Sequence, residues 1–148
     1  MNDKAIQKAA EYIYSRSAHG ATADNGRYCT LCLMEEDGYP TASAITVSKN
    51  DGIKTLTFDT GLASNKAKRI EKCGKAAVNF CDDSVNITLV GDIEIVTDPA
   101  VKEEMWYPGM SHHFAGPDDP GYCVLRFTAK RYSILIMGEE FIEVEGTI

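Results

Sequence analysis

Apolar positions recur at about 3.6-residue spacing over residues 4–17, where Ile6, Ala9, Ala10, Ile13 and Tyr14 share one side. This predicts an amphipathic helix packed on the outside of a sheet. Residues 18–26 are small and polar, with two glycines, and read as a surface loop. The texture then changes to short alternating runs. Tyr28–Met34 predicts a strand, residues 35–38 its turn, and residues 41–47 the next strand, which carries no charge. Asn50-Asp51-Gly52 marks a second hairpin leading into residues 56–58. Further strands are predicted over residues 76–81 and over Val85–Val96, the latter bending at Gly91, with a turn at Asp82-Asp83-Ser84 between them. Asp98-Pro99 has the form of an N-cap followed by proline at the first helical position, so a short helix is expected over Pro99–Met105. Residues 107–121 hold three prolines and three glycines and predict no regular element; loops of that length are usually functional or interfacial. Residues 122–127, 132–136 and 141–144 supply closing strands. Consecutive hairpins plus a return strand predict a mainly β fold, an antiparallel barrel with flanking helices, in one domain over residues 1–148.

The pattern from residue 56 to residue 75 departs from simple hairpins. A strand runs into Thr60-Gly61, and a helix follows with Ser64 as its N-cap, Ala63, Ala67 and Ile70 on one face, and Gly74 as its C′ residue. The strand therefore delivers the chain to a helix N-terminus, where unpaired N–H groups and the dipole favour an anion. Ser64, Asn65 and Lys66 sit at that end. Five Lys or Arg against one Glu give residues 64–75 a charge of +4 in a chain of net −7, leaving −11 for the rest. A phosphate-bearing small ligand fits such a spot better than a nucleic acid, which favours a broadly basic surface. The same lysines also read as a solvated helix face.

Composition narrows the setting. A chain of 148 residues can bury roughly two-thirds of its unfolded surface without staples. The polar, charged N-terminus does not resemble a signal peptide, and no apolar run approaches the ~20 residues of a membrane span, so a cytoplasmic protein is expected. Five cysteines, an odd number, are expected as reduced thiols. Cys29 and Cys32 are three apart on a predicted strand and so point to opposite faces, which disfavours a metal or redox pair. His112 and His113 are adjacent on an irregular stretch, diverge, and lack acidic partners at metal-ligand spacing. No GxSxG, Walker, HExxH or GxGxxG pattern is present, so hydrolase and nucleotidyl chemistry lack support. Trp106, with Tyr107, His112 and Phe114 nearby, reads either as a core plug or as a cover for a planar ring or another subunit.

Several segments in order carry a resemblance: Asp37-Gly38-Tyr39-Pro40, Phe58-Asp59-Thr60 with Ser64-Asn65-Lys66, and Ala76-Ala77-Val78-Asn79-Phe80. Beyond them come residues 87–94 before Asp98, then Trp106-Tyr107-Pro108, then residues 114–120. With these the chain resembles the FMN-binding split-barrel proteins related to pyridoxamine phosphate oxidase, in their short general stress protein branch. The resemblance implies a six-stranded antiparallel Greek-key split barrel that forms a homodimer with FMN in a groove between subunits. Carried over by position, it implies that Ser64 and Lys66 hold the FMN phosphate with Asn65 beside them, and that Phe58, Asp59 and Thr60 lie near the phosphate and ribityl chain. Ser43, Ala44, Ile45 and Thr46 would run along the flavin, and Asn86 would turn a polar side chain toward it. Trp106, His112 and Phe114 become candidate walls for a small-molecule substrate. Two departures stand out. The strand after Pro40 lacks the basic residue common in the family, and Asp59 stands where an aromatic is common. The implied function is a flavin-dependent oxidoreductase acting on a small molecule; the alternative is a non-catalytic flavin-binding or stress-sensing dimer. Neither nucleic acid nor membrane is an expected partner.

Overall fold

The computed structural model describes residues 2–20 and 28–148. Its elements in order are α1 (Asp3–Arg16), β1 (Tyr28–Met34), β2 (Pro40–Asp51), β3 (Thr55–Gly61), α2 (Asn65–Lys72), β4 (Lys75–Cys81), β5 (Val85–Val96), α3 (Pro99–Met105), a 3-10 turn (Pro108–His112), β6 (Tyr122–Met137) and β7 (Phe141–Thr147). Most of the predicted loop over residues 18–26 lies outside the described residues.

All strand pairs are antiparallel. The order β3-β2-β1-β4-β5-β6 closes through a β3–β6 pairing into a six-stranded barrel, and β7 adds to the far half of β6. Strand alternation builds the core: Cys29, Leu31 and Leu33 of β1 point inward with Val78 and Phe80 of β4, Ile87 and Leu89 of β5, and Leu125 and Phe127 of β6. Cys29 is thus inside and Cys32 outside, as their spacing requires. Helix α1 joins this core through Ala5, Ala9 and Ile13, an i, i+4, i+8 row whose small residues allow close approach to the barrel. The expected apolar face therefore sits slightly round the helix, and Tyr14 is 56% exposed.

Three expectations change. The two strands expected over residues 122–127 and 132–136 are one strand, because Lys130 is accommodated as a bulge opposite Val90 and Gly91. β5 runs unbroken through Gly91, where its register with β6 shifts, and the position needs glycine: a Cβ there would lie 2.0 Å from the Thr128 carbonyl oxygen. Gly74 is not a left-handed C′ residue, since Cys73 caps α2 in extended conformation; Gly74 instead lets β5 approach, its carbonyl accepting from the Ile93 N–H. Part of the segment over residues 107–121 is regular, as the Pro108–His112 turn. Among the described residues no helix is long and apolar enough to cross a membrane.

Candidate functional site

β2 pairs with β3 only from Val47 opposite Phe58 to Asp51 opposite Thr55, with Ser48 bulged between. Continuing that register would set Ile45 against Thr60 and Ala44 against Gly61, but those pairs are not made. β3 instead gives residues 55–61 to β6. On its β3 side, residues 40–46 of β2 therefore keep a free edge among the described residues, and the barrel is split there. Ser43, Ala44, Ile45 and Thr46 lie along that edge, facing the end of β3 where Thr60 leads into α2.

Ser64 caps α2: its Oγ accepts the Ala67 N–H at 3.1 Å, and its carbonyl accepts from Lys68. The Thr60 hydroxyl donates to the same Oγ at 3.2 Å. The main-chain N–H groups of Asn65 and Lys66 have no partner among the described residues. The charge is distributed unevenly. Arg69 and Lys72 are ion-paired with Glu35 and Glu36 of the β1–β2 turn, whereas neither Lys66 nor Lys68 makes an ion pair among the described residues. Half of the basic excess thus ties α2 to the barrel, and Lys66, half-buried beside the cap, stays available. A cleft of about 620 Å³ runs between α2 and the β1–β2 turn; it is lined by Asn65 but by none of the other predicted site residues.

Phe58 and Asp59 diverge. Phe58 is fully buried in the barrel core, while Asp59 points outward under α3. Thr60 then alternates back, so the carboxyl and the Thr60 hydroxyl lie on opposite faces of β3, which keeps the charge of Asp59 off the cap. Asp59 is 9% exposed, with Oδ1 3.3 Å from the Tyr122 hydroxyl and Oδ2 buried without a partner. Burial pushes its carboxyl up to about 7.

The aromatic segment packs on the same outer patch as a second small core of Met110, Tyr122 and Val124. Trp106 and Phe114 each place a ring 5.4 Å from Tyr122, and His112 is exposed on the 3-10 turn. Trp106 and Phe114 therefore clasp Tyr122, and neither they nor His112 line the cleft at α2. The segment is held by polar contacts too. Tyr122 donates to the Lys102 carbonyl at 2.8 Å, the Ser48 hydroxyl to the Met105 carbonyl at 2.7 Å, and the buried Lys102 ammonium to the Asp119 carbonyl at 2.9 Å. Tyr122, Ser48 and Lys102 were not expected from sequence; each acts across a long separation and carries no local signal.

The outer face of the remaining strands is uncharged over a wide area. Reading across the registers, Ala44, Thr30, Asn79, Thr88 and Ser133 form one row, and Ala42, Cys32, Ala77 and Val90 the next, which meets a charge only on β6, at Arg131. Asn86 lies on this face at the hairpin end, accepting from the Asn79 amide at 2.8 Å, and Tyr28 on β1 is 77% exposed.

The family profile described as pyridoxamine 5′-phosphate oxidase matches residues 18–135. Among solved structures, a protein related to general stress protein 26 of B. subtilis (pyridoxinephosphate oxidase family), from Clostridium acetobutylicum, is 30% identical with a TM-score of 0.72, covering 84% of this chain and 88% of that one. General stress protein 26 from Bacillus anthracis aligns at 18% identity with a TM-score of 0.71, over 97% of this chain and 100% of that one. A pyridoxamine 5′-phosphate oxidase-related, FMN binding protein from Nostoc punctiforme aligns at 14% identity with a TM-score of 0.60, over 99% and 94%. The latter two show likeness of fold. No curated protein matches the sequence.

Proposed function

The chain belongs to the pyridoxamine 5′-phosphate oxidase family, and from that membership and the split in the barrel we propose that it binds FMN beside the free edge of β2. The observation that carries this is the facing of two segments: the uncharged edge of residues 40–46 on one side, and Thr60, Ser64 and the α2 N-terminus on the other. A phosphate dianion needs several donors and a cation at one place. The N–H groups of Asn65 and Lys66 and the Lys66 ammonium, unpartnered among the described residues, make such a set with the hydroxyls of Thr60 and Ser64. The uncharged edge at Ser43, Ala44, Ile45 and Thr46 suits a planar ring, whereas Asn86, on β5, is separated from that edge by β1 and β4.

FMN, when bound, supplies the electron-transfer chemistry. The chain's own residues would hold the phosphate, align the ring along β2 and keep water from one side of it. The uncharged rows through Ala44, Thr30, Asn79 and Thr88 and through Ala42, Cys32, Ala77 and Val90 suit burial against a second copy of the chain, which would close the split and exclude solvent. The reading is thus a cytoplasmic homodimeric FMN protein acting as an oxidoreductase on a small molecule. One observation favours a second reading, a flavin-binding or stress-sensing dimer without turnover: Trp106 and Phe114 are spent on clasping Tyr122 rather than walling an open pocket.

Titration of purified protein with FMN, read by quenching of flavin fluorescence, tests the site, and saturation near one FMN per chain is expected. Lack of saturation would remove the proposal. Steady-state oxidation of reduced nicotinamide then separates the readings, because a pure binder gives only the rate of free flavin.

A further inference from the structure

The contact between Asp59 and Tyr122 contains more hydrogen-bond acceptors than protons. A phenol has one proton, and the Tyr122 hydroxyl gives it to the Lys102 carbonyl at 2.8 Å. Its oxygen also lies 3.3 Å from Asp59 Oδ1. That second contact is a hydrogen bond only if the carboxyl supplies the proton. Asp59 Oδ2 is buried with no partner among the described residues, so ionisation would put negative charge on an oxygen with no donor, whereas the neutral acid leaves only an uncharged carbonyl oxygen there.

We propose that Asp59 is a proton-bearing latch for the segment from α3 through the 3-10 turn: protonated, it donates to Tyr122 and lets the segment close over β3 and β6; ionised, it loosens that segment. Among the described residues Asp59 makes no ion pair with the groups around it. From β6 come the Tyr122 phenol and the Cys123 thiol, and from the chain after α3 the Tyr107 phenol. From α3 comes Lys102, whose ammonium is held at the Asp119 carbonyl, 5.3 Å from the Tyr122 ring centroid, and from β2 the Ser48 hydroxyl, already donating to Met105. His19 packs on the Tyr107 ring and contacts the Met105 carbonyl.

The neighbouring phenols do not compete with Asp59 for the change of charge. Burial, with the charge of Asp59 next in weight, pushes Tyr107 up to about 12 and raises Tyr122 as well, so both phenols stay protonated across neutrality. Asp59 is the group that changes, near 7. A carboxyl raised in the fold contributes stability that is complete below the ordinary carboxylate range and is lost as pH rises through about 7. The latch adjoins the proposed flavin site through the next residue, Thr60, but does not depend on flavin.

The chain carries its own reporter, since Trp106 is the sole tryptophan and packs on Tyr122. Trp emission, and hydrogen-exchange protection of residues 99–112, are measured on the full flavin-free chain between about pH 5 and about pH 9. The expected result is a red shift and a roughly tenfold loss of protection with a midpoint near 7. Asp59→Asn, which donates from its amide at every pH, abolishes the transition, while His19→Gln retains it. No transition in the wild type, persistence in Asp59→Asn or loss in His19→Gln overturns the latch. Should Asp59→Asn fail to fold, the carboxyl carbon signal of Asp59 in labelled wild type decides: titration near the ordinary value of ~4 overturns the proposal, and titration near neutrality upholds it.

Discussion

The Thr60 hydroxyl and the Ser64 Oγ lie 3.2 Å apart, and that Oγ also accepts the Ala67 N–H, so the end of β3 and the first turn of α2 are held as one piece. Ser64→Ala removes both contacts. Stability should fall by about 1 kcal/mol in chemical denaturation, the usual cost of losing a cap. FMN affinity should fall with it, and unchanged affinity would show that the phosphate does not sit at this helix end.

Lys66 and Lys72 belong to the same helix but differ in partners, Lys72 being paired with Glu36. Lys66→Ala is expected to weaken FMN binding about tenfold, a loss of about 1.4 kcal/mol, with Lys72→Ala within a factor of about two. Equal losses in a fluorescence titration would mean that only net charge matters.

Ala44 stands in the middle of the uncharged face, in register with Thr30 and through it with Asn79. Ala44→Glu would set two like charges near a two-fold contact. Sedimentation velocity should show the wild type as a dimer and the variant as a monomer with weaker FMN binding. A monomeric wild type would refute the dimer.

Asp82 ties α1 to the β4–β5 hairpin, accepting from the Tyr12 hydroxyl at 2.8 Å, from Arg16 at 3.1 Å and from the Ser84 N–H at 2.8 Å. The Ser84 N–H, ahead of the Tyr12 hydroxyl, holds its carboxyl down to about 2. Its stabilisation is therefore complete above the ordinary carboxylate range and lost as pH falls through about 2. The group is solvent-accessible, so Asp82→Asn should cost about 1 kcal/mol or less at neutral pH. The gap between variant and wild-type melting temperatures should narrow on acidification; a constant gap would place the effect elsewhere.

Gly91→Ala forces a Cβ against the Thr128 carbonyl, where the bulge brings β5 and β6 together. Backbone cannot yield as a side chain can, and a loss of about 3 kcal/mol or more is expected. A near-neutral variant in thermal melts would mean that the bulge moves.

The caps and turns were legible because their causes are local. Ser64 reaches a residue three positions on, and Asp98 one two positions on, the Asp98 Oδ1 accepting the Ala100 N–H at 2.9 Å. The alternation of Cys29, Leu31 and Leu33 set the inner face of β1 for the same reason. Gly74 misled because a glycine after a helix has two uses, a left-handed cap or a close approach, and only the neighbouring Ile93 distinguishes them. Residues 128–131 suggested a strand break because a bulge is defined by the partner strand.

The sequence by itself therefore determined the helices, the hairpins, the inward faces of the strands and the placement of Thr60, Ser64 and Lys66 around a helix N-terminus. Tertiary structure alone decided that β3 leaves β2 for β6 and opens the split, that Trp106 and Phe114 clasp Tyr122, and that Asp59 meets a phenol 63 residues away. The physical reason is range. Propensity, capping and alternation act over a few residues, whereas strand partnership and the solvation of a buried carboxyl depend on whichever distant segments the closed barrel brings alongside.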